Sequence, residues 1–330
     1  MIDSTENVLL RTRNDRDISF FDLCSVDDMT DDDISLIFEL ARVFRDAKTE
    51  KLNLCRWQSM INAFFENSTR TMSSFDLSGK HLSMDTNNVG STSSVKKWES
   101  YVDTAETLDA YNVSVIIVRS RESWIPSHLA RHVQAAIVNA WDGWHEHPTQ
   151  WLLDLLTIVD YFGTTDLSWK IVTIVGDIIH SRVFGSLVRL LVRFGATVRI
   201  AAPITLIPDH VERFWVVHYT SSEEAITGAD VVYALRVQEE RWAKWYIPTL
   251  REYSKTFGIN ERRFNLAKKD AILMHPGPVI RDIDIMSPLV ARHSQSYILK
   301  QVENGMAVRK AILWLLSKRF DGQIKSFTRF

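Results

Sequence analysis

The 330-residue chain predicts an α/β protein made of two doubly wound domains, each a parallel sheet flanked by helices, joined by interdomain helices. Three observations predict it. The length exceeds what one small core fills and suits two domains of ordinary size. Short β-branched runs such as Val113 to Val118 and Lys170 to Gly176 have the pattern of strands buried on both faces. Apolar residues at helical spacing lie between such runs, and that alternation builds parallel sheets covered on both sides.

Each element follows in order. Asp31 to Asp33 supply N-terminal acids, and Ile34, Ile37, Leu40, Ala41 and Phe44 fall on one face, so Thr30 to Asp46 is predicted as a helix. An apolar strand ending at Phe64-Phe65 hands over to a helix through Glu66-Asn67-Ser68-Thr69-Arg70-Thr71, and Met72, Phe75, Gly79 and Leu82 continue it. The strand Val113 to Val118 ends at Arg119. A helix from Pro148 through Leu152, Leu155 and Leu156 joins the two sheets. After Lys170 to Gly176, the spacing of Val183, Leu187, Leu190, Leu191 and Phe194 predicts another helix. Thr197 to Ala201, Asp230 to Leu235 and Ala271 to Met274 are further strands, and Val302 to Leu316 a last helix. The boundaries expected are residues 1–148 for the first domain, completed by a C-terminal helix within 302–330, and 149–301 for the second.

Composition narrows the function. Hydrophobic content of 45% and charged content of 24% are those of a globular protein. A formal net charge of -2 argues against a general binder of nucleic acid or membrane surface, so no nucleic acid and no membrane partner is expected. Met1 to Asp17 mixes acids with arginines and reads neither as a secretory signal nor as an anchor. Cys24 and Cys55 fit neither a disulfide framework nor a metal-ligand spacing. A reducing, cytoplasmic compartment is expected. His145 and His147 lack a third ligand cluster, so no metal is expected, and no cofactor either. Val175-Gly176-Asp177 ends a strand before a helix, but the G-x-G-x-x-G turn of a nicotinamide site is absent.

Ligands of such sheets gather at the carboxyl ends of the strands, and the chemistry-bearing residues cluster there. Ser68, Thr69 and Thr71 place hydroxyls, and Arg70 a planar guanidinium, at the start of a helix whose free N–H groups favour an anion. Ser91 to Lys97 forms a polar loop with hydroxyls, Ser93 among them, and the ammonium groups of Lys96 and Lys97. His147-Pro148-Thr149-Gln150 puts an imidazole before a helix-opening proline, with Gln150 on the same side. Arg182, entering a helix, and Arg236 with Gln238, on alternate positions beyond a strand, are suited to carboxylates. His275-Pro276-Gly277-Pro278 is a rigid turn whose carbonyls suit an amide NH2. No nucleophile is paired with a general base, so the pattern fits transfer from a phosphorylated acyl donor by positioning and charge neutralisation.

The ordered set Phe64 to Thr71, Ser91 to Thr104, Asn139 to Asp154, Val175 to Val183, Leu235 to Arg241, Arg251 to Arg263 and Met274 to Asp284 resembles the aspartate/ornithine carbamoyltransferases over roughly Ser19 to Lys318. Ser-Thr-Arg-Thr followed by His-Pro-Thr-Gln marks carbamoyltransferases generally, and Arg-Val-Gln-Glu-Glu-Arg marks the aspartate branch. The resemblance implies an enzyme of pyrimidine biosynthesis that transfers the carbamoyl group of carbamoyl phosphate to L-aspartate. It implies that Ser68, Thr69, Arg70 and Thr71 hold the phosphate with Arg119, that Thr71 and Arg119 help polarise the carbonyl, and that His147 and Gln150 bind the carbamoyl end. Arg182, Arg236 and Gln238 would bind aspartate, and the carbonyls of Pro276 and Gly277 would orient the carbamoyl NH2. Ser93 and Lys97 match loop residues that the family donates to a neighbouring subunit, which implies a homotrimer with shared active sites, a unit that family members also build into larger assemblies with regulatory or dihydroorotase-like chains.

The chain departs from the family in its tryptophans. Trp98, Trp124 and Trp141 stand where the family usually has glycine, and Trp144 and Trp151 replace small residues. Overpacking costs about 1 to 3 kcal/mol, and displacing catalytic groups by about 1 Å costs on the order of 100-fold in rate. A catalytically impaired paralogue with an assembly or regulatory role is the alternative these indoles raise, and a carbamoyltransferase with another amino acceptor is a second.

Overall fold

The computed structural model describes residues 4–14, 16–47, 51–90, 100–143, 145–238, 249–292 and 294–320. The chain divides into two compact units, Met1–Leu152 with Glu303–Phe330, and Leu153–Val302.

The first unit runs α1 (Thr5–Arg13), α2 (Asp31–Asp46), β1 (Ser59–Phe64), α3 (Thr69–His81), β2 (Asp85–Gly90), α4 (Tyr101–Asp109), β3 (Val115–Ser120), α5 (Ile125–Leu129) and β4 (Ala136–Asp142). The helix α6 (Pro148–Phe162) starts in it and passes into the second unit at Leu153. Its sheet is four-stranded and parallel, in the order β2-β1-β3-β4. Ile116 to Val118 and Ala136 to Val138 are buried in their strands, as the β-branched pattern requires of strands covered on both faces.

Two strands here depart from an unbroken apolar run. β2 reads Asp-Thr-Asn-Asn-Val-Gly and is the sheet edge, partly exposed, tied to its neighbour by Asn62 Nδ2 donating to Asn88 Oδ1 at 2.7 Å. Polar residues suit an edge that must not pair with another chain. β4 is apolar up to Asn139 and Asp142, and both of these polar side chains are buried and satisfied.

The second unit runs β5 (Ile171–Val175), α7 (Arg182–Arg193), β6 (Thr197–Ala201), β7 (Val216–Tyr219), α8 (Ser222–Ile226), β8 (Val231–Ala234), α9 (Leu250–Thr256), α10 (Glu261–Phe264), β9 (Ile272–Met274) and α11 (Ser287–Arg292). The last helix, α12 (Ile298–Phe320), begins here, four residues earlier than its periodicity predicts, and returns to the first unit at Glu303. The five strands are parallel in the order β7-β6-β5-β8-β9.

These orders decide where ligands bind. In the first sheet the chain steps outward from β1 to β2, then crosses to β3 on the other side. In the second it winds outward from β5 through β6 to β7, then crosses to β8. The carboxyl ends of β1 and β3, and of β5 and β8, are therefore topological switch points, where loops diverge and leave a crevice.

Candidate active site

At the first switch point, β1 and β3 are in register with Phe64 opposite Arg119, and Phe65 N–H donates to the Arg119 carbonyl at 2.9 Å. This pairing places the turn Phe65 to Ser68 beside Arg119. Ser68 is the N-cap of α3, with extended backbone (φ -156, ψ 94), yet its hydroxyl makes no capping bond and the first turn holds no acid. Ordinary caps in this chain behave otherwise. Thr30, Ser100, Ser221, Thr249 and Asn260 each accept from a backbone N–H of the turn they cap, with acids in that turn. A helix start with neither cap bond nor acid keeps its N–H groups and positive dipole available to an external anion. Thr69 and Arg70 are exposed there, and Ser68 and Thr71 are half-buried.

Arg119 is buried, and its guanidinium donates to the Ala140 carbonyl at 3.3 Å and stands 4.0 Å from Glu66. Its flat face lies 3.4 Å from the centre of the Trp141 ring. Val118 pairs with Asn139 and Ser120 with Asp142, so Ala140 and Trp141 bulge opposite Arg119. At the end of β4, a buried carboxylate shapes the loop to His147. Asp142 Oδ1 accepts from Glu146 N–H at 2.9 Å and from Asn139 Nδ2 at 2.8 Å, and its Oδ2 accepts from Trp124 N–H at 2.7 Å. Glu146, also buried, accepts from Ser25 Oγ at 2.6 Å and Val26 N–H at 2.8 Å.

His147 precedes α6, and its carbonyl accepts from Gln150 N–H at 2.9 Å. The ring is buried, with Nδ1 unpartnered among the described residues. Burial first, then the positive charges of Arg309 and Arg119, holds it well below the ordinary histidine range, against an opposing pull from the Asn139 backbone. The imidazole is therefore neutral at physiological pH and retains one donor and one acceptor. The hydroxyl cradle, Arg119, His147 and Gln150 thus share one sheet edge.

The second switch point repeats the uncapped helix. Ser181, extended and without a capping bond, precedes α7, whose first turn holds no acid and begins with Arg182. Arg236 and Gln238 follow β8. Asp177, buried after β5, accepts from His180 Nδ1 at 2.8 Å and through Oδ2 from Gln238 N–H at 3.2 Å, while Gln238 Nε2 donates to the His180 carbonyl at 2.6 Å.

The Pro276-Gly277 turn is fixed from beneath. Gly277 has φ 68, and its N–H donates to His275 Nδ1 at 2.8 Å, so the ring proton sits on Nε2 and points to Asp284 Oδ2 at 3.2 Å. Asp284 also accepts from Val237 N–H at 3.1 Å and Ile280 N–H at 2.8 Å, which links the loops after β8 and β9. Gln301 accepts from His275 N–H and donates to Asp154 Oδ1, whose Oδ2 accepts from the Tyr233 hydroxyl.

Ser68, Thr69, Arg70, Thr71, Arg119, His147 and Gln150 are thus together in the first unit, and Arg236, Gln238, Pro276 and Gly277 lie on the carboxyl-end loops of the second, with Arg182 at the head of α7. Ser93, Lys97, Trp98 and Trp144 fall outside the described residues. Trp151 is fully buried in α6, and the Trp124 ring lies 3.6 Å from that of His145. Sequence reasoning missed the buried carboxylates Asp142, Asp177 and Asp284. For Asp142 and Asp177 the available signal was an acid at the carboxyl end of an apolar strand, at a depth where an acid needs partners.

The profile described as "Aspartate/ornithine carbamoyltransferase, carbamoyl-P binding domain" matches residues 22–160, and "Aspartate/ornithine carbamoyltransferase, Asp/Orn binding domain" matches 170–316. The aspartate carbamoyltransferase catalytic subunit of Desulforamulus reducens is 46% identical over 300 residues, covering 90% of this chain and 95% of that protein. That of Sorangium cellulosum is 48% identical over 282 residues, 85% and 86% of the two chains. Aspartate transcarbamoylase from Trypanosoma cruzi, in a crystal structure with N-(phosphonacetyl)-L-aspartic acid, superposes with a TM-score of 0.80 at 31% identity, over 89% of this chain and 94% of that one. The chain belongs to the aspartate/ornithine carbamoyltransferase family.

Proposed function

We propose that this chain transfers the carbamoyl group of carbamoyl phosphate to the amine of L-aspartate, giving N-carbamoyl-L-aspartate and phosphate for pyrimidine biosynthesis. The observation that carries the reading is the uncapped, acid-free start of α3 beside Arg119 and the neutral His147. The relatives support the choice of substrates: the Trypanosoma cruzi enzyme has been crystallised with carbamoyl phosphate and aspartate.

Ser68, Thr69, Arg70, Thr71 and Arg119 hold the phosphate. Thr71, Arg119 and His147 polarise the carbonyl by donating to its oxygen, and Gln150 with the carbonyls of Pro276 and Gly277 orients the NH2. Arg182, Arg236 and Gln238 take the two carboxylates of aspartate. The amine attacks the carbonyl carbon, a tetrahedral intermediate forms, and the bond to the phosphate oxygen breaks. Phosphate leaves with the amine proton, while Arg70 neutralises the charge growing on the leaving oxygen.

Ser93 and Lys97 are assigned to a neighbouring subunit's site, so the working unit is a homotrimer, open to larger assemblies with regulatory or dihydroorotase-like chains. A cytoplasmic location is assigned from the free thiols of Cys24 and Cys55, which suit a reducing compartment, and among the described residues no helix is long and apolar enough to cross a membrane.

The Trp141 ring against Arg119 favours a second reading, an impaired paralogue with an assembly or regulatory role. Steady-state formation of carbamoyl-aspartate tests both: a folded trimer that makes none at saturating substrates sinks the enzyme reading.

A further inference from the structure

Nine described residues other than glycine have positive φ in the left-handed range. Five are Asn14, Ser83, Asn112, His210 and Asp282, short or polar side chains of the kinds that enter this region or sit in turns. The other four are all tryptophan: Trp57 at φ 72, Trp124 at 70, Trp141 at 111 and Trp215 at 56. A bulky indole is a poor occupant of this backbone, and near +110° the conformation belongs to glycine.

Composition points the same way. The chain has 11 tryptophans and only 12 glycines, whereas ordinary usage of about 7% glycine would give roughly twice as many. Burial does not retain these indoles either, for Trp57, Trp124 and Trp215 are 85%, 61% and 76% exposed.

What the positions supply is backbone. Trp215 caps the short 3₁₀ turn Val211–Phe214 in the left-handed conformation, its N–H on the Glu212 carbonyl at 3.0 Å, which is a glycine cap. Trp124 precedes α5 in the same conformation, its N–H on buried Asp142. Trp141 is the bulge residue opposite Arg119, its N–H on Asn139 Oδ1 at 2.8 Å, a bulge place suited to glycine. There its ring lies over the Arg119 guanidinium, 3.4 Å from the ring centre to Cζ.

We infer that the working protein carries glycine at positions 57, 124, 141 and 215, and that glycine at 141 uncovers Arg119 for the substrate phosphate. One base separates UGG, and the stop codon UGA that some genetic codes read as tryptophan, from the glycine codons GGG and GGA. A single codon that the cell reads as glycine, and that is written as tryptophan in this sequence, accounts for all four places at once. The backbone part stands independently of the reaction; the part concerning Arg119 rests on the carbamoyl phosphate reading.

The test compares this chain with W57G/W124G/W141G/W215G and with W141G alone. The four-glycine chain is expected to melt at a higher temperature, and W141G to raise kcat/KM by about 10- to 100-fold. A tryptophan chain that melts as high as the four-glycine chain overturns the backbone inference, and an unchanged kcat/KM in W141G overturns the Arg119 part. Should no chain make carbamoyl-aspartate while the glycine chain melts higher, the proposed reaction fails and the glycine inference holds. Peptide mass spectrometry of the protein from the cells that produce it decides where recombinant chains do not fold. The peptide spanning position 141 is expected lighter by the exchange of an indolylmethyl group for hydrogen, and tryptophan found there overturns the inference.

Discussion

The carboxyl edges of the two sheets start alike and are finished differently. Both deliver a serine in extended conformation, without a side-chain cap bond, to a helix with no acid in its first turn. At the first edge the cradle stays open, with Thr69 and Arg70 exposed and the chemical groups, Arg119 and His147, either cationic or neutral. At the second, buried carboxylates do the holding, since Asp177 and Asp284 tie together the loops that carry Gln238 and the Pro276-Gly277 turn. The difference teaches that the first edge leaves its helix start without a side-chain cap or an acid. An edge that must position loops from several strands spends buried acids to lock them, and breaking such ties is costly because buried donors are left unpaired.

The sharpest way to break this contrast is Arg70→Ala. It should lower kcat/KM by about 100- to 1,000-fold, while unfolding free energy moves by no more than about 0.5 kcal/mol, as for an exposed residue. Equal turnover by mutant and parent would remove Arg70 from the reaction. Asp284→Ala should do the reverse, lowering stability in urea by roughly 3 kcal/mol, because the buried donors of Val237, His275 and Ile280 lose their acceptor. A loss below about 1 kcal/mol would show that water replaces the carboxylate, and the locked-edge account would fail.

The neutral His147 predicts a pH signature. Its folded value is depressed from the ordinary 6.5, so below pH 6.5 the unfolded chain takes up a proton that the folded chain refuses. Acid therefore favours unfolding, and above that pH both forms are neutral and the contribution is level. Stability should fall as pH drops below 6.5, and His147→Asn should flatten that slope. An unchanged slope would place the titration elsewhere.

The smallest effect separates the two kinds of helix start. Thr30 accepts from Asp33 N–H at 3.2 Å, so Thr30→Ala should cost about 1 kcal/mol. Ser68→Ala should cost only a few tenths of that size in stability and raise KM for carbamoyl phosphate. If Ser68→Ala destabilises as much as Thr30→Ala, the serine is an ordinary cap.

Much of this was legible in the sequence. Thr30 to Asp46 carried its acids and its apolar face, and the helix formed is Asp31–Asp46. The strands from Lys170, Thr197, Asp230 and Ala271 stood out because burial on both faces demands unbroken apolar runs. β2, β4 and β7 were not legible: edge strands owe their place to a neighbour's backbone rather than to their own side chains, and β4 ends in polar residues paid for by distant partners such as Cys24. Among site residues, the hydroxyl cradle and the histidine before Pro148 were visible because their chemistry is local. Asp284 was not, since its partners lie on loops up to 47 residues away.

By itself, then, the sequence determined the alternation of strand and helix, the family motifs and the set of groups suited to phosphate and carboxylate, all of which depend on residues near one another in the chain. Only the tertiary structure decided the strand orders that create the switch points, the burial that keeps His147 neutral, and the backbone angles that mark four tryptophans as glycine places. Those depend on which distant segments pack together, and local chemistry carries no record of them.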